Sequence, residues 1–311
     1  MKKRILILTL FGLLSSTLSF AQNAFQTFRS QASAAYSDKK YQESGQRYEQ
    51  AFQVKAAKPT DSDFYNAACS WALAGEKTKA FQNLDRATLA GWDNIAHVKE
   101  DTDLTALHSD KRWQPMLKKL EATVAKNEAN YNVPLKRELE EIYVADQSVR
   151  RKAAEIERQH GFKSPQMDSL WKEMRAIDDR NLPRVTGMID KYGWPGNSLV
   201  GRSGSTTAFL VIQHSHLPIM QKYLPVMREA AVKGELAKSS LALLEDRVLT
   251  SQNKPQLYGS QLQNNPDTGK LEFFPIEDEA HVDERRATMN LGPLAEYAKS
   301  FGLNYAPVVN P

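Results

Sequence analysis

A carboxylate that interrupts an apolar helix face is the clearest candidate for chemistry in this sequence. Apolar residues recur at helical spacing along one predicted helix, at Leu135, Leu139, Ile142, Val149, Ala153 and Ile156. Asp146 occupies a position on this stripe, Arg150 follows one turn later on the same face, and Gln147 lies beside it. A buried carboxylate is costly unless it is paired. The pattern therefore indicates either an ion pair that orders the core or a functional site in which Arg150 holds Asp146.

Histidine is the side chain best suited to proton transfer near neutral pH, and His214 is the strongest candidate here. It follows Gln213, directly after an apolar segment at 208–212 that predicts a buried helix. The preceding segment, 201–207, is rich in glycine and hydroxyl groups. It lacks the lysine of a phosphate-binding loop, so helix capping is the preferred interpretation. His214 is then either a hydrogen-bonded structural residue or a general acid or base.

Two further polar groups accompany the predicted helices of this region. Asp246 and Arg247 lie near the end of a helix predicted over about 236–249. The acidic segment 277–284 contains two conceivable metal ligands, His281 and Asp283. Their spacing matches no recognised metal motif, so we interpret this segment as a solvated face and predict no metal site.

A hairpin is predicted where the helical periodicity stops. Two short extended runs, 257–263 and 271–276, flank a strong turn cluster at 264–269. The resulting β-hairpin, at about 257–276, brings hydrogen-bonding groups together, and these candidates are Gln256, Tyr258 and Gln261. Arg286 lies in the last amphipathic stretch and completes the set of candidate ligand-binding residues.

Two segments near the start of the chain repeat with a period of about 36 residues. Small and large residues recur at the same internal spacing, with Phe28, Ala32, Ser44, Tyr48 and Ala51 matched by Phe64, Ala68, Ala80, Leu84 and Ala87. The pattern lets antiparallel helices approach closely, and it resembles the tetratricopeptide repeat. An incomplete third unit at 101–120 is predicted to cap the stack. The array, over 22–125, serves either as a peptide-binding surface or as a spacer.

The first 21 residues have the three-part pattern of a secretory signal peptide. A basic start at 2–4 precedes an apolar run at 5–14, and small residues mark a cleavage site before Gln22. The apolar run is too short to span a bilayer comfortably. We therefore expect an exported protein, periplasmic or secreted, with no membrane span once the signal peptide is removed.

Charge and cysteine content limit the partners and the covalent cross-links that we expect. The chain has 41 basic and 37 acidic residues, and loss of the basic start leaves 38 against 37. Nucleic-acid binding needs a basic surplus on one face, so we expect no nucleic-acid partner. Cys69 is the single cysteine, which excludes an intramolecular disulfide, and its neighbours predict a buried helical position.

Residues from about 135 to 298 resemble an uncharacterised bacterial domain family of unknown function. The motifs that carry the resemblance are Asp146-Gln147-x-x-Arg150, Gly193-Trp194-Pro195, Gly201, Gln213-His214, Asp246-Arg247, Gln256-x-Tyr258-Gly259-Ser260-Gln261, Pro275-Ile276 and Asp283-x-x-Arg286. Ser260 stands where threonine is more usual, a change that keeps the hydroxyl group. The resemblance implies no activity. Because most motif residues are polar, they indicate a pocket or a buried polar network.

Together these patterns predict a mainly α protein. A short tetratricopeptide-like helical-hairpin array over 22–125 is followed by a polar linker at 126–133. A second helical domain over 134–311 then contains the β-hairpin.

The preferred functional interpretation is an exported binding protein whose repeats contact a protein or peptide and whose second domain holds a small polar ligand or peptide. The candidate site comprises Asp146, Gln147, Arg150, His214, Asp246, Arg247, Gln256, Tyr258, Gln261 and Arg286. The alternative is a hydrolase in which His214 is the general base and Asp146 or Asp246 orients it. Against it, the chain lacks a nucleophile-elbow motif, a zinc-protease motif and a cysteine nucleophile. A structural adaptor is the third possibility, and no cofactor is predicted.

Overall fold

The computed structural model describes residues 24–55, 59–161, 164–265 and 267–306. The signal peptide predicted over 1–21 lies outside these residues. Within them the chain is mainly helical with one small antiparallel sheet, which confirms the predicted fold class. None of the helices in the described ranges has an apolar stretch long enough to cross a membrane.

Helical hairpins form the first part of the chain. Their helices are α1 over 24–37, α2 over Tyr41–Gln53, α3 over Asp61–Leu73, α4 over Lys77–Leu89, α5 over Ile95–Glu100, α6 over Thr105–His108 and α7 over Trp113–Glu128. A 3₁₀ turn at Thr102–Leu104 connects α5 to α6. A capping box between Thr60 and Asp63 starts α3, because each residue accepts a hydrogen bond from the main-chain N–H of the other.

Small residues bring these helices close together, as the repeat pattern requires. Ala68 and Ala80 are both fully buried. A Cβ atom added at Gly45 would lie 2.5 Å from the ring of Trp71, so α2 and α3 approach at a point where only glycine fits. The array is consistent with the tetratricopeptide pattern, and its assignment to that repeat family remains a prediction.

The predicted capping helix, α7, packs as expected. Trp113, Leu117 and Leu120 are buried in one apolar core with Tyr65 and Leu84 from α3 and α4. The last helix of the array therefore covers an apolar face that the preceding pair leaves exposed.

Long helices form the middle of the chain. They are α8 over Val133–His160, α9 over Pro165–Tyr192, α10 over Asn197–Gln213, α11 over Leu217–Val232 and α12 over Lys238–Ser251. Side-chain caps start the first two: Asn132 Oδ1 accepts from Leu135 N, and Ser164 Oγ accepts from Met167 N.

One local expectation is wrong. The segment 201–207 lies inside α10 rather than before it, and Gly201 interrupts the helix with a φ of 75°. Ser205 Oγ accepts a hydrogen bond from Trp194 Nε1 at 3.0 Å and donates one to the Glu235 carbonyl at 3.0 Å. This hydroxyl therefore ties chain segments together.

The predicted hairpin is present with shorter strands. β1 over Leu262–Asn264 pairs with β2 over Leu271–Phe273, and Gln263 lies opposite Glu272. Asn265 Oδ1 accepts main-chain hydrogen bonds within the turn, whose position 266 lies outside the described residues. A 3₁₀ turn and two short helices follow, at Glu279–His281, Val282–Thr288 (α13) and Leu294–Lys299 (α14).

The described chain divides into two compact units. The first combines residues up to Val124 with those from Gln252 onwards, and the second runs from Ala125 to Ser251. Helices cover half of the predicted linker, since α7 continues to Glu128 and α8 begins at Val133. The domain boundaries drawn from the sequence follow its motifs rather than compactness, and they remain a prediction.

Candidate functional site

Asp146 lies on the buried side of α8, where the helical periodicity places it. Its side chain is 3% exposed, and Ile142 and Val149 are buried on the same face. Arg150 Nε and Nη2 lie 3.1 and 3.0 Å from Asp146 Oδ1, and Gln147 Nε2 donates a hydrogen bond to Asp146 Oδ2 at 2.6 Å. The ion pair expected from the sequence is present, and both carboxylate oxygens have partners.

A second carboxylate, Asp178 on α9, joins this pair. Arg150 Nη2 donates a hydrogen bond to Asp178 Oδ1 at 2.7 Å. Asp178 belongs to none of the sequence motifs described above. Because it follows the buried Met174 by four residues and precedes the buried Asn181 by three, it interrupts an apolar face of its helix as Asp146 does. The same periodicity would have found it.

His214 occupies the C-terminal end of α10 and points one ring nitrogen at the ion pair. Its Nδ1 lies 3.5 Å from Asp146 Oδ1, a distance that suits a charge interaction better than a well-formed hydrogen bond. The side chain is 21% exposed. The structure thus brings together four predicted site residues, Asp146, Gln147, Arg150 and His214. We call Asp146, Arg150, Asp178 and His214 the Asp146 cluster.

The two carboxylates of the cluster differ in their proton affinity. Burial by itself raises the pKa of Asp146, but the nearby His214 and the hydrogen-bonded guanidinium of Arg150 outweigh it and lower the pKa to about 2. Burial raises the pKa of Asp178, and the attraction of Arg150 does not fully offset this effect. The cluster therefore keeps Asp146 ionised and makes Asp178 the easier carboxylate to protonate.

Amide groups beside the cluster have unmet hydrogen-bonding capacity. Asn181 is 1% exposed, and within the described residues neither its Oδ1 nor its Nδ2 has a hydrogen-bond partner. The same holds for Oε1 of Gln213, the neighbour of His214. Asn181 lies one turn from Asp178 on the same face of α9. A buried unpaired polar group costs about 1–3 kcal/mol, and these amides can therefore gain free energy by binding a ligand group or a water molecule.

The cluster also contains a possible set of metal ligands. One ligand atom each from Asp146, Asp178 and His214 can be chosen so that all lie within 4.8 Å of one another. Arg150, however, binds both carboxylates through its guanidinium group. A cation would have to compete with this resident positive charge, so the arrangement suits an organic polar ligand better than a metal ion.

Gln256 lies in the other compact unit and has a different environment. It is fully buried, and its side-chain Nε2 donates hydrogen bonds to the carbonyls of Gln261 and Phe274, both at 2.9 Å. Its Oε1 accepts from Gln261 N at 2.8 Å. The amide therefore holds the two sides of the hairpin base together.

Arg286 has a similar structural environment in α13. It is 2% exposed, and its guanidinium donates to the carbonyls of Gly292 and Tyr258, both at 2.5 Å. The group also lies 5.0 Å from the ring centre of Tyr297. We call the buried side chains of Gln256 and Arg286, with the carbonyl and amide groups they bind, the Gln256 network.

The remaining candidate residues lie on α12 and beside the hairpin, outside the Asp146 cluster and the Gln256 network as defined above. Asp246 is fully buried and Arg247 half-buried on α12, in the same compact unit as the Asp146 cluster. Tyr258 is half-buried, and Gln261 Nε2 donates to Ser260 Oγ at 3.0 Å. The residues predicted as one site therefore belong to separate groups in two units.

Residues 133–309, more than half of the chain, match a family of unknown function, DUF6624. The chain belongs to this family. The match confirms the resemblance to an uncharacterised domain family and contains the segment expected from the motifs. It also spans both the Asp146 cluster and the Gln256 network, so the family includes elements of both compact units.

Other comparisons cover less of the chain. It is 28% identical over 86 residues to a chloroplastic protein of Arabidopsis thaliana. This alignment includes 26% of the present chain and 25% of the plant protein, so the chain spans a quarter of that relative's length. No solved structure matches the chain significantly.

Proposed function

We propose that the Asp146 cluster and the amides beside it form a binding site for a small polar ligand or peptide group. The observation that supports this proposal is the unmet hydrogen-bonding capacity of Asn181 and Gln213 next to four charged or titratable side chains. A ligand that fits must offer a donor to the two amide oxygens and an acceptor to Asn181 Nδ2. Fixed polar groups of this kind give small-molecule sites their specificity.

The decisive variant is Asn181→Leu. Because leucine removes the unpaired amide, we expect the free energy of unfolding to rise by about 1 kcal/mol or more. A thermal-shift screen of amino acids, sugars, nucleosides and short peptides identifies ligands, and the same change should abolish binding of those that need the Asp146 cluster, which the loss of their binding to Arg150→Ala identifies. Gln166→Leu, an exposed position on the same helix, is the matched control and should do neither. A less stable Asn181→Leu variant that binds normally would contradict the proposal.

A hydrolase with His214 as general base is the second candidate. The contact between Asp146 Oδ1 and His214 Nδ1 supports it, because this arrangement leaves Nε2 as the basic end of the ring. Asp246, the other orienting residue considered, is buried on α12. The test is a panel of ester, amide, phosphate and glycoside substrates with the wild type and His214→Asn. Turnover that requires His214 would favour this function, and a panel without turnover would count against it.

We also propose that the protein is exported and that its helical-hairpin array contacts a protein or peptide partner. The signal-like pattern of the first 21 residues supports export, and the stacked hairpins support the contact role. Sequencing the N-terminus of the natively expressed protein tests the first point. We expect a start at Gln22 outside the cytoplasm, and a mature cytoplasmic protein that begins at Met1 would contradict it.

A further inference from the structure

A cavity of about 530 Å³ opens within the helical-hairpin array. Side chains from α1 to α3 and from the segment after α4 line it. We call it the aromatic pocket and define it by Tyr36, Tyr65, Trp92, His97, Asp101 and Asp103. None of these residues belongs to the Asp146 cluster or to the Gln256 network, and the sequence analysis assigns no chemistry to them.

Stacked rings form one wall of the aromatic pocket. Tyr65 and Trp92 are parallel within 1°, with ring centres 3.9 Å apart, and the His97 ring lies 5.4 Å from that of Tyr65. The buried Nε1 of Trp92 has no hydrogen-bond partner among the described residues. The faces of such rings carry negative electrostatic potential and attract cations.

Two carboxylates lie beside these rings without a strong cationic partner. Tyr36 Oη donates a hydrogen bond to Asp103 Oδ2 at 2.5 Å, and Tyr65 Oη donates one to Asp101 Oδ2 at 2.7 Å. Within the described part of the chain, no lysine or arginine lies within ion-pair distance of either carboxylate, and His97 lies 3.4 Å from Asp101. The hydrogen bonds that Asp101 and Asp103 accept therefore come from neutral groups.

Several other acidic residues of the array form an ion pair with a lysine or an arginine. Asp85 pairs with Lys119 at 2.7 Å, Asp110 with Arg112 at 2.8 Å, and Glu49 with Arg86 at 3.1 Å. Each of these acids has a lysine or arginine partner. Among the described residues Asp101 and Asp103 lack one, and His97 is the basic side chain beside them.

The local electrostatics agree with this description. Burial, together with the neighbouring carboxylates, raises the pKa of the Tyr36 and Tyr65 hydroxyls and of the Cys69 thiol. All three groups therefore stay protonated and neutral at physiological pH. Among the described residues that line it, the pocket holds two carboxylates and no lysine or arginine such as Arg150 provides in the Asp146 cluster.

We propose that the aromatic pocket binds the cationic side chain of a lysine or arginine residue in a peptide partner. Carboxylates supply the counter-charge, and the half-buried ring of Trp92, held in place by its stacking on Tyr65, supplies a cation–π surface. The volume exceeds that of one basic side chain, so flanking peptide groups also fit. This inference rests on the proposed contact role of the array and is independent of the ligand site in the second unit.

The test is calorimetric titration of the full chain with capped pentapeptides that contain one central residue among alanines. Arginine and lysine peptides should bind, while the citrulline peptide, which has nearly the shape of arginine but no charge, should bind about tenfold more weakly or not at all. Methylguanidinium and Zn²⁺ are titrated separately, because Cys69, Asp101 and Asp103 could also bring three ligand atoms to a metal.

Variants connect the binding to the pocket. Asp101→Asn and Asp103→Asn should each weaken binding of the arginine peptide about tenfold and leave the citrulline peptide unaffected. Asp85→Asn, at an exposed position of the same array, is the matched control and should change nothing. Thermal melts establish that each variant is folded. If a pocket variant is unfolded, Trp92→Phe provides a milder change of the ring wall.

The results of these titrations distinguish peptide binding from metal binding and from binding of a free cation. Equal affinity for arginine and citrulline peptides, or binding that is insensitive to both aspartate variants, would overturn the proposal. So would binding of Zn²⁺ with no binding of peptide or methylguanidinium. Binding of methylguanidinium without binding of any peptide would support the chemistry of the pocket and contradict the contact role of the array.

Discussion

The Gln256 network and the Asp146 cluster are both buried polar groups within one family, and they differ in how completely their hydrogen bonds are met. Every polar atom of the Gln256 side chain binds a main-chain group at 2.8 to 2.9 Å. In the Asp146 cluster the charges are paired, but the neighbouring amides of Asn181 and Gln213 retain unused capacity.

This difference separates two roles that sequence motifs do not distinguish. A fully satisfied polar network fixes backbone geometry, since each bond specifies one arrangement of the chain. Unused capacity in a buried site destabilises the fold and is typical of groups selected for binding. We therefore assign a structural role to Gln256 and Arg286, and we place the proposed ligand site at Asp146.

Replacing Gln256 should have the largest effect on stability. Gln256→Leu preserves the volume but removes the side-chain hydrogen bonds of three main-chain groups, of which the Gln261 carbonyl keeps one bond from Phe274 N. We expect a loss of about 4 kcal/mol in the free energy of unfolding. Chemical denaturation measures it. Gln263→Leu in β1 is the control, because Gln263 bonds a side chain, Glu272, rather than buried main chain. A loss below about 1 kcal/mol for Gln256→Leu would show that the network does not hold the hairpin.

Arg150→Ala should have the second-largest effect on stability. The change leaves Asp146 buried without its charged partner, and we expect a loss on the order of 3 kcal/mol. Arg151→Ala removes an exposed arginine from the next position and should have almost no effect. Equal melting temperatures for both variants and the wild type would mean that the cluster contributes little to the fold.

The pKa of Asp146 predicts a pH dependence of intermediate size. The folded value, about 2, lies below the ordinary value of 3.8, so the ionised form stabilises the folded state. This contribution, about 2 kcal/mol, is complete above about pH 5 and is lost as the pH falls to 2. Unfolding measured from pH 5 to 2 should therefore show a steeper loss for the wild type than for Asp146→Asn. Parallel curves would mean that Asp146 titrates normally.

Sequence periodicity predicts which positions are buried better than it predicts their partners. It placed Asp146 in the core and identified Arg150, because both lie on one helix with fixed spacing. Asp178 lies on α9, and its pairing depends on how α8 and α9 align, which no local pattern encodes. The fold class and the hairpin were also predictable, since each follows from local periodicity and turn chemistry.

The role of Gln256 could not be predicted for a related reason. A glutamine beside a tyrosine in an extended run is equally compatible with a ligand site and with a main-chain bridge. Its three partners belong to segments that meet only after the hairpin folds. The helix interruption at Gly201 could not be predicted either, because glycine permits a helix interruption as readily as a helix start.

His214→Asn should have the smallest effect on stability, and it tests the comparison most directly. His214 is partly exposed and makes one long contact with Asp146, whose charge Arg150 still balances after the change. We expect the free energy of unfolding to stay within about 1 kcal/mol of the wild type, as for His160→Asn at an exposed end of α8. Binding of a screened ligand, or turnover of a substrate, should nevertheless be lost. A large loss of stability with no ligand or substrate found would place His214 with Gln256, as a structural residue, and would remove the hydrolase from consideration.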